Sequence, residues 1–240
     1  MGKTDSIIDR PSPNHDARPD GTAIDILLLH YTGMQSSEAA LDRLTDQDAK
    51  VSAHYLIDED GRCYRMVDEA RRAWHAGVAS WQGATDINAR SIGIELVNPG
   101  HQFGYRPFPD RQMECLVNLS KAILGRHPIP PARVLGHSDV APDRKEDPGE
   151  LFDWESLARS GIGLWPGQTS ATAEAMDFSE AMTLLSEIGY AAPEESVMSQ
   201  SARSVLLAFQ RRWLPHGLTG ALTPETARRI REVHSMISRA

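Results

Sequence analysis

The chain has 240 residues, 40% of them hydrophobic and 24% charged, which is the composition of a globular protein with one sizeable core or two smaller ones. Acidic residues outnumber basic ones by 33 to 25, and the formal net charge is -8. Because no general positive field is available to hold a polyanion, we do not expect nucleic acid as a partner. The two cysteines, Cys63 and Cys115, belong to no CxxC or CxxH pattern, so no disulfide framework or thiolate zinc site is indicated.

The N-terminus lacks the apolar stretch of a signal peptide, and no later run reaches the length of a transmembrane helix. We therefore expect a cytoplasmic protein without a transmembrane segment. The sequence leaves the oligomeric state open, with a monomer favoured. Periplasmic or released action stays open if residues before Met1 have been removed.

A polar leader over residues 1–20 precedes a segment in which strand and helix patterns alternate. Short apolar runs predict strands at 23–29, 53–57, 63–67, 91–97 and 134–135. Apolar residues at helical spacing predict helices at 36–45 and 112–124. This alternation predicts an α/β domain over residues 21–165.

The composition then changes to Gly, Pro, Gln, Thr, Ser and Ala, which predicts a linker over residues 166–176. Three further amphipathic stretches, at 178–188, 199–213 and 224–236, predict a small three-helix domain over residues 177–240.

The segment 136–149, GHSDVAPDRKEDPG, is the densest in ionisable side chains. Its two prolines argue against a regular helix or a central strand, so we predict a loop. Loops on a rigid sheet commonly carry catalytic groups, and this one is a candidate site.

Two histidines and a carboxylate, with one position left for water, form a ligand set of hydrolytic zinc sites. His30, at the end of a predicted buried strand, and His137 could supply the imidazoles, together with Asp139, Asp143 or Asp147. Spacing alone does not choose among these aspartates, and His30 could equally be an ordinary histidine at the end of a strand.

Glu95 lies inside the apolar run SIGIELV, where a carboxylate is costly unless it is paired or functional. Close to a metal it could orient or deprotonate water. The alternative is a buried ion pair with an arginine.

Five motifs follow one another in the predicted α/β domain: HYTG at 30–33, VSAHYLI at 51–57, AWHAG at 73–77, SIGIE at 91–95 and the loop at 136–149. In this order they resemble the zinc-dependent N-acetylmuramoyl-L-alanine amidases, the AmpD and AmiD group. The resemblance implies the fold shared with peptidoglycan recognition proteins, a central mixed β-sheet flanked by helices. It also implies hydrolysis of the amide bond between N-acetylmuramic acid and L-alanine in peptidoglycan or muropeptides.

The resemblance assigns the zinc ligands to His30, His137 and Asp147, and the catalytic roles to Glu95 and Lys145. Glu95 would activate the attacking water, and Lys145 would stabilise the oxyanion.

Substrate contacts are implied for the groove strand and for two residues near it. These residues are Trp74, His75 and Ala76 of the strand, with Tyr31 and Lys50 nearby. The basic residue that some members use against a diaminopimelate carboxylate is replaced by Asp86, which leaves the preferred stem peptide open.

The C-terminal helices, with AFQRRW at 208–213 and TGALTPETARRI at 219–230, resemble the three-helix peptidoglycan-binding domain. Since every catalytic candidate precedes Gly149, we expect these helices to be dispensable for cleavage of small soluble substrates. A phage-type endolysin and a non-catalytic peptidoglycan recognition module are the alternative functions. Because all three ligand positions are filled, an enzyme is favoured over a pure binder.

Overall fold

A computed structural model describes residues 7–167 and 175–239. Contacts divide the chain into two compact units, one made of Met1–Gly77 with Asp86–Leu135 and the other of Val78–Thr85 with Gly136–Ala240. Residues 1–6 of the predicted leader and 168–174 of the predicted linker lie outside the described residues. The domain limits expected from the sequence, 21–165 and 177–240, remain a prediction.

The first unit is built on a six-stranded mixed sheet, as the predicted α/β fold requires. Its strands are β1 Ile8–Asp9, β3 Ile26–Tyr31, β4 Tyr55–Ile57, β5 Cys63–Arg65, β7 Ser91–Leu96 and β8 Val134–Gly136. Across the sheet they follow the order β1-β5-β4-β7-β3-β8. A second, antiparallel pair joins β2 His15–Ala17 to β6 Arg71–Ala73. Parts of the predicted leader are therefore strands, β1 pairing with β5 and β2 with β6.

The strands β3 and β7 form the centre of the sheet. Because they consist mainly of apolar residues, they are buried along almost their whole length. The strands β3 and β7 pair in parallel, and their register places His30 opposite Glu95. On its other edge β7 pairs in parallel with β4. The strand predicted at 23–29 in fact runs to Tyr31, so His30 lies within β3 rather than after it.

In the described part of the first unit the α-helices are α1 Ser37–Thr45, α2 Ile87–Arg90, α3 Gly100–Phe103 and α4 Asp110–Arg126. The Ser36 side chain caps α1 by accepting a hydrogen bond from the Ala39 amide, as its position before the periodic segment predicts. The apolar stripe of α4, with Leu116, Leu119 and Ile123, is buried.

The second unit contains α5 His137–Val140, α6 Trp154–Arg159, α7 Phe178–Ile188, α8 Gln200–Trp213 and α9 Pro224–Ile237. The last three confirm the predicted helices. By contrast, the expectation that segment 136–149 forms only loop is wrong for its first residues, because one helical turn fits before Pro142. Within the described ranges, no helix is long and apolar enough to cross a membrane.

Trp81, in the short segment 78–85, explains why this segment belongs to the second unit. Its ring packs edge-on against Tyr190 with centroids 5.1 Å apart. A Cβ atom at Gly189 would approach that indole to 2.5 Å, so only glycine allows the contact. Tyr190 in turn packs against Phe209 of α8.

Candidate metal and catalytic site

His137 and Asp147 form the centre of the loop segment in the second unit. The Nδ1 atom of His137 lies 3.0 Å from Oδ2 of Asp147, and only 3% and 8% of the two side chains are exposed. The Ser138 amide donates a hydrogen bond to the Asp147 carbonyl at 2.9 Å, which brings the end of the loop back to the start of α5. Asp147 is therefore the partner of His137 because the loop folds back on itself, which the spacing along the sequence does not show.

One ring nitrogen of His30, one of His137 and one carboxylate oxygen of Asp147 all lie within 4.8 Å of one another, and the three residues are buried. Two ligand atoms bound about 2.0–2.1 Å from one tetrahedral ion lie roughly 3.3 Å apart. Two imidazoles and one carboxylate are a donor set that zinc accepts, with one position left over. These three residues can therefore bind a metal ion.

Glu95 is positioned by the register of the sheet. It stands opposite His30 across the parallel pair of β3 and β7. Paired residues on neighbouring strands point to the same face, with the strands about 4.8 Å apart. The Glu95 carboxylate, half-buried, therefore shares a face with a predicted metal ligand, as expected of a catalytic base.

His75 lies inside the first unit and not in an open groove. Its Nδ1 atom is 3.1 Å from Nε2 of His30, and only 9% of the residue is exposed. The backbone amides of His75 and Ala76 donate hydrogen bonds of 3.0 and 2.8 Å to Oδ1 of Asn88. Those amides are thus bonded within the protein, and the substrate contacts expected for both residues remain a prediction.

The other expected substrate residues lie at different depths. Trp74 is half-buried, and its amide donates to the Ser52 hydroxyl at 2.9 Å. Tyr31 ends β3 half-buried, and its hydroxyl lies 2.9 Å from Nδ1 of His101. Lys50 is exposed and has a left-handed backbone with φ of 54°. Their roles in substrate binding remain a prediction.

Lys145 is half-buried two residues before Asp147, and its amide donates to the Ala141 carbonyl at 3.0 Å. Of the other two aspartates considered for the metal, Asp143 is exposed and Asp139 is almost completely buried. The carboxylate of Asp139 is used structurally, because it accepts hydrogen bonds from the Gly136 amide at 2.8 Å and the Tyr190 hydroxyl at 2.6 Å.

Two consecutive arginines of α8 contact this loop segment. Arg212 donates to Asp139 at 2.7 Å, and Arg211 donates to Glu146 at 3.1 Å. Burial and the nearby charge of Asp139 raise the pKa of Tyr190 well above its usual range, which keeps that hydroxyl a hydrogen-bond donor. The sequence did not reveal these contacts, although Arg211 and Arg212 stand between the aromatic residues Phe209 and Trp213, a place where a charged side chain needs an acceptor.

A further buried histidine, His54, lies beside His75, with ring centroids 5.5 Å apart. Burial and the neighbouring charge of Arg18 lower the pKa of His54 to about 3. Its Nδ1 accepts a hydrogen bond of 3.0 Å from the Gly93 amide, and its Nε2 faces the Arg71 carbonyl at 3.1 Å. His54 is therefore a neutral, structural histidine of the first unit.

The mixed sheet and a buried His-His-Asp cluster that could hold a metal ion are features of an α/β hydrolase. The family described as N-acetylmuramoyl-L-alanine amidase matches residues 20–150, more than half of the chain. This chain belongs to that family. The expected fold and enzyme class, a hydrolase of the amide bond between N-acetylmuramic acid and L-alanine, are thereby confirmed.

AmiD of Escherichia coli K12 is 36% identical over 223 residues, which cover 85% of this chain and 79% of AmiD. AmpD of Enterobacter cloacae is 37% identical over 161 residues, which cover 60% of this chain and 84% of AmpD. The structure of E. coli AmiD with the substrate anhydro-N-acetylmuramic acid-L-Ala-D-γ-Glu-L-Lys has a TM-score of 0.82 at 33% identity, covering 92% of this chain and 93% of that one. The alignment with AmiD is thus longer than the alignment with AmpD.

Proposed function

We propose that the chain hydrolyses anhydro-muropeptides with the help of one zinc ion bound by His30, His137 and Asp147. The observation that carries the proposal is the clustering of these three ligand atoms within 4.8 Å. A bound zinc ion would lower the pKa of a coordinated water toward 7 and polarise the scissile carbonyl. The remaining chemistry belongs to side chains of the chain itself.

Glu95 is the proposed general base. Its half-buried carboxylate lies on the face of His30, where it can accept a proton from the attacking water. The same group can then return the proton to the nitrogen of L-alanine, which must be protonated before it leaves. One carboxylate therefore serves both proton transfers.

Lys145 is the proposed electrostatic stabiliser. Its position two residues before Asp147 on a tightly bonded loop places an ammonium group in the same segment as two of the ligands. A fixed positive charge lowers the energy of the negative charge that develops on the carbonyl oxygen.

The proposed substrate class follows from the relatives. E. coli AmiD was solved with an anhydro-N-acetylmuramyl tripeptide, and AmpDh3 of Pseudomonas aeruginosa with an anhydromuramic pentapeptide. We propose that this chain accepts the same class. Intact peptidoglycan is the second candidate, because the match to AmiD extends beyond the segment matched by AmpD into the C-terminal helices.

The test measures zinc content and product release on the same samples. Wild-type protein is expected to hold about one zinc per chain and to release the L-alanyl peptide from the anhydro-muropeptide. Asp147→Asn and the double variant His30→Ala/His137→Ala are expected to lose both properties. Asp143→Asn, which changes an exposed residue of the same loop, is the matched control and is expected to keep them.

Full zinc occupancy in the double variant would overturn the ligand assignment. Release from insoluble peptidoglycan but not from the soluble anhydro-muropeptide would replace the first substrate class by the second.

A further inference from the structure

Three buried polar side chains, those of His30, His75 and Ser91, form a hydrogen-bonded series inside the first unit. Nε2 of His30 lies 3.1 Å from Nδ1 of His75, and Nε2 of His75 lies 3.4 Å from Oγ of Ser91. The Ser91 hydroxyl donates a hydrogen bond of 2.7 Å to the Ile87 carbonyl. The three side chains belong to residues that are 1%, 9% and 0% exposed.

The Ile87 carbonyl at the end of this series fixes the direction of its hydrogen bonds. A backbone carbonyl only accepts, so the single hydroxyl proton of Ser91 points to Ile87. Ser91 Oγ must then accept from His75, which places the proton of that neutral ring on Nε2. Nδ1 of His75 is left as an acceptor and receives the Nε2 proton of His30. The lone pair of a neutral His30 consequently resides on Nδ1.

We propose that Ser91 and His75 are positioning residues that fix the tautomer and ring orientation of His30, so that Nδ1 is the nitrogen offered to the metal ion. The proposal rests on the proposed function, because it takes His30 as a ligand. A metal-bound histidine commonly donates its second ring proton to a fixed acceptor, which orients the ring and raises its basicity. Here that acceptor is another histidine, itself fixed by a serine.

The backbone around His75 holds its ring in place. A Cβ atom at Gly93 would lie 2.6 Å from three atoms of the imidazole, so the ring lies directly against the backbone of β7. In addition, Oδ1 of Asn88 accepts a hydrogen bond from the His75 amide at 3.0 Å. His75 therefore has little freedom to turn away from His30.

The first test reads the tautomers directly in zinc-free protein, by two-bond 1H–15N correlation spectra of the imidazole rings. Wild type is expected to show His30 and His75 both protonated on Nε2. Ser91→Ala removes the acceptor that fixes His75, so the His30 signal should shift toward the Nδ1-protonated form. Ser120→Ala, at another fully buried serine of the same unit, is the control and is expected to leave both signals unchanged.

The second test compares zinc dissociation constants by competition with a chelator. In His75→Asn the amide oxygen can replace Nδ1 as an acceptor, whereas His75→Leu offers none. We expect His75→Leu to bind zinc about 10- to 100-fold more weakly than wild type, and His75→Asn to recover most of that loss.

Equal zinc affinity in His75→Asn and His75→Leu, or a wild-type His30 protonated on Nδ1, would overturn the proposal. Failure of wild type to bind zinc would count against the metal site, and the tautomer spectra of the zinc-free protein would still decide the role of His75 and Ser91.

Discussion

The guanidinium of Arg212 lies 2.7 Å from the carboxylate of Asp139, and only 3% and 1% of these side chains are exposed. The arginine is further enclosed by the rings of Trp154 and Trp213, whose centroids are 4.3 and 4.4 Å from its central carbon. This pair connects α8 to the short helix that begins with His137. The C-terminal helices are therefore part of the structure that holds two proposed metal ligands.

Replacing Arg212 by Met is expected to destabilise the protein strongly. The change leaves the Asp139 carboxylate buried without its cation, and removing one partner of a buried pair costs about 3–5 kcal/mol. Chemical denaturation measures the loss in free energy of unfolding. Arg203→Met, at an exposed arginine of the same helix, is the control and should change stability by at most about 0.5 kcal/mol. Similar losses in free energy of unfolding in both variants would show that the buried ion pair contributes no more to stability than an exposed arginine does.

Deleting residues 177–240 tests the same connection in a different way. The sequence suggested that the truncated chain would keep its activity, but Asp139 would lose both Tyr190 and Arg212. We expect the truncated chain to unfold at a lower temperature and to retain less zinc. Asp139→Asn in the truncated chain removes the buried charge yet keeps an acceptor for the Gly136 amide, so it should restore part of the stability. A truncated chain as stable as the full one would support the expectation from the sequence.

Elements with a long apolar pattern were predictable from the sequence. The helices α4 and α7 to α9, and the strands β3 and β7, were found within a few residues of their observed limits. The short strands β1 and β2 were missed because two or three residues carry no readable period. Their stability comes from pairing with distant segments, for instance Ile8 with Tyr64. The groove strand expected at 74–76 is wrong in position, since β6 ends at Ala73.

The site was predictable in its residue types but not in its internal arrangement. Spacing alone left Asp139, Asp143 and Asp147 equivalent, and the resemblance to the amidases selected Asp147. The structure gives the physical reason, since Asp147 contacts His137 while Asp139 is bonded to Arg212. The sequence could not show that the His75 side chain points toward His30. His75 follows a strand of only three residues, which is too short to reveal which face its side chains point to.

Gly93→Ala is expected to weaken zinc binding without touching a ligand. The added Cβ would lie 2.6 Å from the His75 ring, which must then leave the position in which its Nδ1 faces Nε2 of His30. We expect a roughly ten-fold or greater rise in the zinc dissociation constant, in the range seen for outer-shell changes. Gly125→Ala is the control, because its Cβ meets nothing within 4 Å and it lies in α4, where alanine favours the helix. An unchanged zinc affinity in Gly93→Ala would mean that the ring can shift at no cost.

Lys145→Ala is expected to keep zinc and lose turnover. The ammonium group is not one of the ligand candidates, and its proposed role is to stabilise charge that appears only in the transition state. The kcat for an anhydro-muropeptide should fall by roughly ten- to a thousand-fold with zinc content unchanged. Arg144→Ala, at the exposed neighbouring cation, is the comparison and should have a much smaller effect on kcat. A rate equal to that of wild type would leave Lys145 as an ordinary loop residue.

His54 should make the zinc-free protein less stable in acid. Its pKa is lowered to about 3 in the folded state, chiefly by burial, whereas an unfolded histidine titrates near 6.5. Between these values the unfolded chain binds a proton that the folded chain does not, so the free energy of unfolding falls as the pH falls. One such proton contributes a slope of about 1.4 kcal/mol per pH unit.

His54→Asn removes this titration while its amide oxygen can still accept the Gly93 hydrogen bond. Urea denaturation from pH 7.5 to 4.5 should therefore give a smaller slope for the variant than for wild type. The same substitution at exposed His216 should leave the slope unchanged. Identical slopes for wild type and His54→Asn would show that His54 becomes protonated without unfolding.

Glu95→Gln should separate binding from chemistry. The substitution preserves the shape of the side chain opposite His30 but removes its ability to accept a proton. Zinc content and affinity for the anhydro-muropeptide should survive, while hydrolysis falls by about two orders of magnitude or more. All three quantities are measured on one preparation: zinc content by metal analysis, affinity by titration with the anhydro-muropeptide, and hydrolysis by release of L-alanyl peptide. Glu59→Gln, at the β4–β5 turn, is the control and should leave hydrolysis unchanged. Loss of zinc in Glu95→Gln would make Glu95 a ligand or a structural residue, and near-normal hydrolysis would require another general base.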